Sequence, residues 1–349
     1  MNDIIYVLRQ ETSSYGVNVI LDHLRKVIGE EKVKFISHID EASKEGIIIP
    51  YGILTAMRMI KTCPDRCIIN LMVDSYSLSV YSEMVFFVRN RYFTLPYLCK
   101  TILRYLKYTY CEYKILKHFS NIMLVSIWDQ NHFLSTWPFK RYAHKVFVVP
   151  NGVDIPPLVT IKNSSNNGGE IIIGCLSAWS DTIFFPFMIF LRDVWCKAIE
   201  VNPNMRLKVA GRGLSPKYIK KMSKYKNIEI LGEIDSLDSF YDQIDACLIT
   251  ICKEAGMLNK VLEGFAYKRP VIGRPQNFLS FRNIPDCYYT YNDMDSFLKA
   301  ISDISKNEDN CRKKVEDALD YIKRENDWNN NYMKLHIIIE ETYSRKIKR

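Results

Sequence analysis

Gly256, Asn259, Lys260 and Glu263 are the residues of this 349-residue chain whose types and spacing point most directly to chemistry. They lie in residues 245–274, DACLITICKEAGMLNKVLEGFAYKRPVIGR. The pattern predicts a buried strand over 246–251, a tight loop at Gly256, a short helix over 258–267 and a second buried strand from Pro270. A helix entered through a glycine turn points its free N–H groups at whatever lies above the sheet edge, which makes an anion site. Gly256, Met257, Leu258 and Asn259 are thus expected to receive a diphosphate. Glu263, one to two turns into the helix, is expected to hold the sugar attached to it.

Other residues fit such a site. Asp74 follows INLMV at a strand's carboxyl end, where ligands of open α/β sheets sit. It is read as a general base, as an orienter of a hydroxyl, or as a plain turn cap. Arg212 lies between Gly211 and Gly213 at another strand end, either meeting a phosphate or sitting solvated in its turn. Gly16, after Ser13-Ser14-Tyr15, reads as a turn that lets backbone approach a ligand, or as a turn glycine and nothing more. No G-x-G-x-x-G follows it, so a nicotinamide dehydrogenase gains little support. Asp293 and Asp295 have D-x-D spacing but precede a helix, and capping of free N–H groups is the favoured reading. No metal set is expected.

The elements that must position these residues follow from hydrophobic periodicity. Strands are expected at 3–9, 33–36, 46–49, 67–73, 122–126 and 145–149, with helices between. The second half has strands at 171–175, 206–210 and 228–231, and helices at 184–199, 237–244, 297–304, 311–324 and 328–343. Strands alternating with helices argue for α/β architecture with mostly parallel sheets. PPLVTIKNSSNNGGE (156–170) is linker-like. Three units are expected: 1–160, 161–325, and a closing helical segment 326–349 that crosses back to the first.

Residues 81–119 interleave aromatics with an excess of Lys and Arg. Arg89, Arg91, Lys100, Arg104 and Lys107 would face anionic headgroups if these helices lie in a membrane interface; otherwise they face water on helices packed against the sheet. The net charge of +9 favours an anionic partner. No nucleic-acid-binding motif accompanies it. No stretch reaches the roughly 18 apolar residues of a membrane span. MNDIIYVLRQ is not a signal peptide, so a cytoplasmic location is expected, with a peripheral place on the inner membrane face as the refinement. The ten cysteines show no disulfide or metal framework and are expected to be reduced.

These motifs resemble family 4 glycosyltransferases of GT-B fold. The matching pieces are VVPNGVD (148–154), LKVAGRG (207–213), NIEILGEIDSLDSFYDQIDACLI (227–249) and GMLNKVLEGFAYKRPVI (256–272), in the family's order. Val73-Asp74-Ser75 also resembles a subgroup in which such a strand end precedes a long aromatic helical region. The resemblance implies two Rossmann-like doubly wound domains facing a central cleft. It implies transfer of a sugar from a UDP- or GDP-sugar to a lipid-linked or cell-surface glycan, with retention and without metal or other cofactor.

Residue by residue, the resemblance makes Glu263 the ribose-binding glutamate and places Gly16 in the loop over the phosphates. The family's first motif glutamate falls on Ala255, with Glu254 adjacent as its substitute. Lys260 and Arg212 stand in for the family's diphosphate-binding pair, and Asp74 for a histidine at the cleft edge. The rival expectation, motivated by Ala255, is a GT-B-shaped scaffold without catalysis.

Overall fold

Short apolar strands, each flanked by helices, set the architecture of the computed structural model, which describes residues 4–9, 15–43, 46–91, 93–161 and 169–347. The first half runs β1 (Ile5–Leu8), α1 (Tyr15–Ile28), β2 (Val33–Ile36), β3 (Ile47–Pro50), α2 (Ile53–Thr62), β4 (Ile69–Val73), α3 (Tyr76–Arg89), α4 (Leu95–His118), β5 (Asn121–Leu124), α5 (Ile127–Ser135) and β6 (Val146–Val148). The strands pair as β2-β1-β3 and β4-β5-β6, and a parallel bridge from Tyr51 to Leu71 joins the two ladders. Among the described residues these strands all pair in parallel. IYVL, IIIP and NIML are nearly continuous apolar runs because helices cover both faces.

The second half runs β7 (Ile171–Leu176), α6 (Asp181–Phe190), a π-helical turn (Leu191–Trp195), α7 (Cys196–Val201), β8 (Met205–Ala210), α8 (Pro216–Met222), β9 (Ile228–Gly232), α9 (Leu237–Asp242), β10 (Ala246–Leu248), α10 (Asn259–Ala266), β11 (Val271–Gly273), β12 (Tyr289–Thr290), α11 (Met294–Lys306), α12 (Glu308–Glu325) and α13 (Trp328–Ile347). Its sheet is ordered β12-β11-β10-β7-β8-β9. The winding direction reverses between β7 and β10. In doubly wound sheets that reversal opens a crevice at the strands' carboxyl ends.

Several ties outside the crevice join the halves. Helix α13 lies against α1: Trp328 stacks on His23 at 4.5 Å, and Tyr332, Leu335 and Ile339 are buried with Ile20, Leu24 and Ile28. Lys268 donates to the Val159 carbonyl, and Arg269, buried, donates to those of Thr160, Tyr241 and Tyr267. Asn326 donates to the Asn151 carbonyl and accepts, through its own carbonyl, the Val153 N–H.

Several expectations are corrected. Gly16 does not sit in a turn, because α1 already begins at Tyr15; Ser13 and Ser14 lie outside the described residues. The strand expected over 246–251 ends its ladder at Leu248, although 249 and 250 stay buried. Helix α8 and strand β12 were not anticipated: α8 is short and strongly basic, and β12 has two residues, too few to show a period. The helix expected over 184–199 starts three residues earlier and carries Pro186 inside it. Asp293 does cap α11, accepting the Ser296 N–H at 2.9 Å. All ten cysteines are free thiols.

One buried acid gives this fold a pH dependence. Glu112 on α4 is fully buried and accepts the Ser77 N–H at 3.0 Å and the Ser75 hydroxyl at 3.4 Å. Burial pushes its carboxyl up to about 7, although those hydrogen bonds pull the other way. The folded protein therefore holds a proton that the unfolded chain releases near its ordinary value of 4.5. The stability contribution is full below that value and falls as pH rises through about 7. Glu112→Gln should lie within about 1 kcal/mol of the parent at pH 5 and exceed it at pH 8 by at most about 3 kcal/mol. Thermal midpoints between pH 5 and 9 check this; equal slopes for both proteins would refute it.

Candidate functional site

The site begins where β4 ends. Val73 has φ +71°, and the Asp74 N–H donates to the Met72 carbonyl at 2.9 Å. This is a γ-turn with positive φ, rare for any residue and strained for a β-branched one, at a cost of roughly 1–3 kcal/mol. The turn swings Asp74 away from the strand direction and toward the second domain. Ser75 then caps α3, accepting the Leu78 N–H.

A second carboxylate joins it. Asp129 sits in the first turn of α5, where its N–H donates to the Ser126 hydroxyl at 3.0 Å, and it is fully buried. Its carboxylate accepts the Ser126 hydroxyl and the Ser75 N–H, the latter at 2.8 Å. It also accepts the N–H of Gly256, from the other domain, at 2.9 and 3.1 Å. Burial, reinforced by the Asp74 charge, pushes this carboxyl up to about 6.

From the second domain comes the loop between β10 and α10. Lys253 reaches Asp74, with Nζ 2.5 Å from Oδ2. Burial alone would lower the Lys253 ammonium, but Asp74 and then Asp129 outweigh it and hold it above the ordinary lysine range. The Glu254 N–H donates to Ser82 Oγ at 3.3 Å, and burial raises the Glu254 carboxyl against the pull of Arg89. Gly256 has φ +76°, and a Cβ there would lie 2.3 Å from Asp74 Oδ1. Only glycine allows so close an approach in that conformation.

Helix α10 opens at the switch point of its sheet, and no side chain caps its N-terminus at Leu258. Asn259 Oδ1 accepts from Asn151 Nδ2 at 3.0 Å, and Met257 Sδ lies 3.3 Å from Asn326 Nδ2. Glu263 Oε2 meets Lys260 Nζ at 2.6 Å and the Tyr241 hydroxyl at 3.3 Å. Tyr241 is stacked on Tyr267 at 4.2 Å, which fixes the hydroxyl that faces Glu263.

The structure thus brings Asp74, Glu254, Gly256, Met257, Leu258, Asn259, Lys260 and Glu263 into or beside one interdomain crevice. Arg212 does not join them by its contacts: it is two-thirds exposed and paired with Glu233 at 3.0 Å. Gly211 and Gly213 have positive φ because their backbone lies against the carbonyls of Ser177 and Trp179. Gly16 is placed by its backbone alone, in the first turn of α1.

Sequence reasoning missed Asp129 and Lys253. Ser126-x-x-Asp129 is a capping pattern that marks a helix start. Nothing in it foretells that the acid would reach a glycine amide of the other domain. Lys253 stands next to Glu254 in a loop, and its partner is 179 positions away.

The arrangement offers an uncapped helix end with two nearby ammonium groups for an anion, and two carboxylates facing them. Among the described residues no group of three or more His, Cys, Asp or Glu side chains could hold a metal ion.

Comparisons with known proteins bear on the fold and on the second domain. Residues 187–308 match the family model described as glycosyl transferases group 1. No curated protein matches the chain. Among solved structures, Anabaena HepE in complex with UDP and glucose is 11% identical with a TM-score of 0.64, covering 96% of this chain and 99% of that one. An E. coli trehalose-6-phosphate structure bound with UDP-2-fluoro glucose is 12% identical with a TM-score of 0.67, covering 97% and 99%. TarM is 14% identical with a TM-score of 0.59, covering 85% of this chain, which spans 55% of TarM's length. The chain therefore has the GT-B fold, and its segment 187–308 is similar to the glycosyl transferases group 1 family.

Proposed function

We propose that the chain transfers a sugar from a UDP- or GDP-sugar to a glycan or lipid-linked acceptor, with retention of anomeric configuration and without a metal ion. One observation carries this reading. The β10–α10 loop and the uncapped start of α10 sit at the switch point of the second sheet and face Asp74 and Asp129 across the crevice. Glycosyl transfer leaves a diphosphate whose charge must be neutralised as it departs. Helix N–H groups and the Lys253 ammonium are suited to that, in a site that two domains shield from water. HepE and the trehalose-6-phosphate structure were solved with UDP or a UDP-sugar, which favours uracil as the donor's base. Glu263, held by Lys260 and Tyr241, is the hydroxyl-binding acid of the donor.

The test is calorimetry of UDP and GDP binding, followed by turnover of the matching nucleotide sugars. Glu263→Ala should weaken nucleotide affinity about tenfold or more, the loss expected for charge-assisted hydrogen bonds of 1.5–3 kcal/mol. No affinity for either nucleotide in the parent would leave the scaffold reading in its place.

Membrane contact is part of the same proposal. Helix α4 exposes Leu95, Ile102, Leu103, Leu106 and Tyr110 along one helical stripe, with Lys100 and Lys107 exposed beside it. Arg89 and Arg91 are exposed at the end of α3 and just beyond it. Arg104 is diverted, its Nη1 lying 3.4 Å from Glu83, so it contributes less than its neighbours. Among the described residues no helix is long and apolar enough to cross a membrane. An apolar stripe edged by lysines suits an anionic membrane surface, each cation adding about 1 kcal/mol. Replacing Lys100 and Lys107 with Glu should cut co-sedimentation with anionic liposomes at least fivefold per site, the Boltzmann factor for about 1 kcal/mol. Undiminished sedimentation would exclude this face.

A further inference from the structure

Away from the Asp74 cluster, a cavity of about 590 Å³ opens between the domains, its lining including Glu83, Phe87, Arg91, Phe93, Asp181 and Phe185. Its size falls within the roughly 300–1,000 Å³ of small-molecule sites. We infer that this cavity takes a neutral sugar unit of the acceptor. The inference rests on the reading of the chain as a glycosyltransferase and says which chemistry its second substrate presents.

The walls decide the ligand class. Phe87 and Phe185 face each other from α3 and α6 at 6.4 Å, edge to face, and Tyr97 meets Phe87 at 5.7 Å in the same manner. Phe93, also in the lining, is 42% exposed. Among the described lining residues there is no Leu, Ile, Val or Met. A site for an aliphatic chain would be built from such side chains. Aromatic rings combined with oxygen acceptors suit a pyranose, which has an apolar C–H face and a rim of hydroxyls.

The polar groups fit the same ligand. Glu83 is held in place by the Tyr97 hydroxyl at 2.8 Å and Arg104 at 3.4 Å. Asp181 is fixed by the Tyr218 hydroxyl at 2.8 Å. Thr182 adds a carbonyl: Pro186, four residues on, has no N–H to give it, and the Cys252 thiol donates to it at 4.0 Å. Two lining carboxylates, Glu83 and Asp181, against one lining cation, Arg91, disfavour a phosphate or a uronic acid and favour hydroxyl donors. Cys252 immediately precedes Lys253, so the cavity adjoins the crevice from the α3–α6 side.

The experiment is saturation-transfer NMR on the full chain with methyl glycosides of glucose, galactose, mannose and N-acetylglucosamine, with decanoate as the apolar-chain probe and with UDP present or absent. At least one glycoside should receive saturation, keep it with UDP bound, and lose at least fivefold in Phe185→Ala and in Phe93→Ala. Phe93 is exposed, so its variant reads the site even if Phe185→Ala fails to fold. Saturation of decanoate alone, of no glycoside, or of a glycoside undisturbed by Phe93→Ala would overturn the inference. Calorimetric UDP binding separates the two readings: glycoside binding without UDP affinity defeats the donor assignment and spares the cavity, and the reverse result defeats the cavity alone.

Discussion

Lys253→Met is expected to lower transfer turnover by about 10²–10³, the loss seen when one preorganised electrostatic partner of the transition state is removed. The variant keeps the length and apolar stem of the side chain and deletes the ammonium that lies 2.5 Å from Asp74. Lys253 side-chain exposure is 35% and that of Asp74 is 27%, so the pair is partly hydrated. Its loss should then cost the fold no more than about 1 kcal/mol. A large kinetic effect beside a small change in thermal midpoint is thus the expected signature. Single-turnover assays with a UDP-sugar, together with a melting curve, check it. Lys253→Met/Asp74→Asn should recover any lost stability but not the rate. A double variant that regains turnover would mean that Lys253 only neutralises Asp74 and takes no part in leaving-group stabilisation.

Gly256→Ala is the second large effect. The backbone there has φ +76°, and the new Cβ would fall 2.3 Å from Asp74 Oδ1. The Asp74 side chain is the group that would have to yield, but Lys253 pins it. Either that ion pair breaks, or the loop withdraws and the Asp129–Gly256 hydrogen bonds break. Both routes separate the domains at the crevice. Left-handed backbone alone costs an alanine about 1–2 kcal/mol. The expected result is a loss of at least a hundredfold in kcat/KM and a larger radius of gyration by X-ray scattering. The thermal midpoint should fall by roughly 2–8 °C, at 2–4 °C per kcal/mol for a domain of this size. Unchanged scattering with full activity would show that the loop does not close the cleft.

Asp129 links these two results to pH. Its carboxyl is pushed up to about 6 by burial and by Asp74. As pH falls through that value, the acceptor of the Gly256 N–H loses its charge, and the charge-assisted part of this interdomain bond goes with it.

Much of this molecule is legible in order along the chain. Runs such as IYVL and INLMV are buried on both sheet faces, so each reads as a strand without knowledge of its neighbours. Helix α10 and Glu263 are equally plain, because a strand, a positive-φ glycine and an amphipathic turn lie within twenty residues. Strand β12 and helix α8 escaped because two residues, or one basic turn, carry no period. Arg212 takes the second of its two sequence readings, a solvated turn residue, by its contacts. Its flanking glycines serve the packing of the 211–213 backbone on Ser177 and Trp179, and the side chain itself turns outward to Glu233.

The amino-acid order by itself determined two doubly wound halves, the strand–glycine–helix proposed as the anion site, and the place of Glu263 one turn into that helix. Each of these is set by hydrogen bonds and burial periods that span a few residues. The tertiary structure alone decided that Lys253 would meet Asp74, 179 positions away, and that Asp129 would take the amide of Gly256, 127 positions away. Those contacts exist only because two separately cored domains dock edge to edge. Opposite charges carry no local pattern that says which partner, among many of the same kind, the docking will bring within reach.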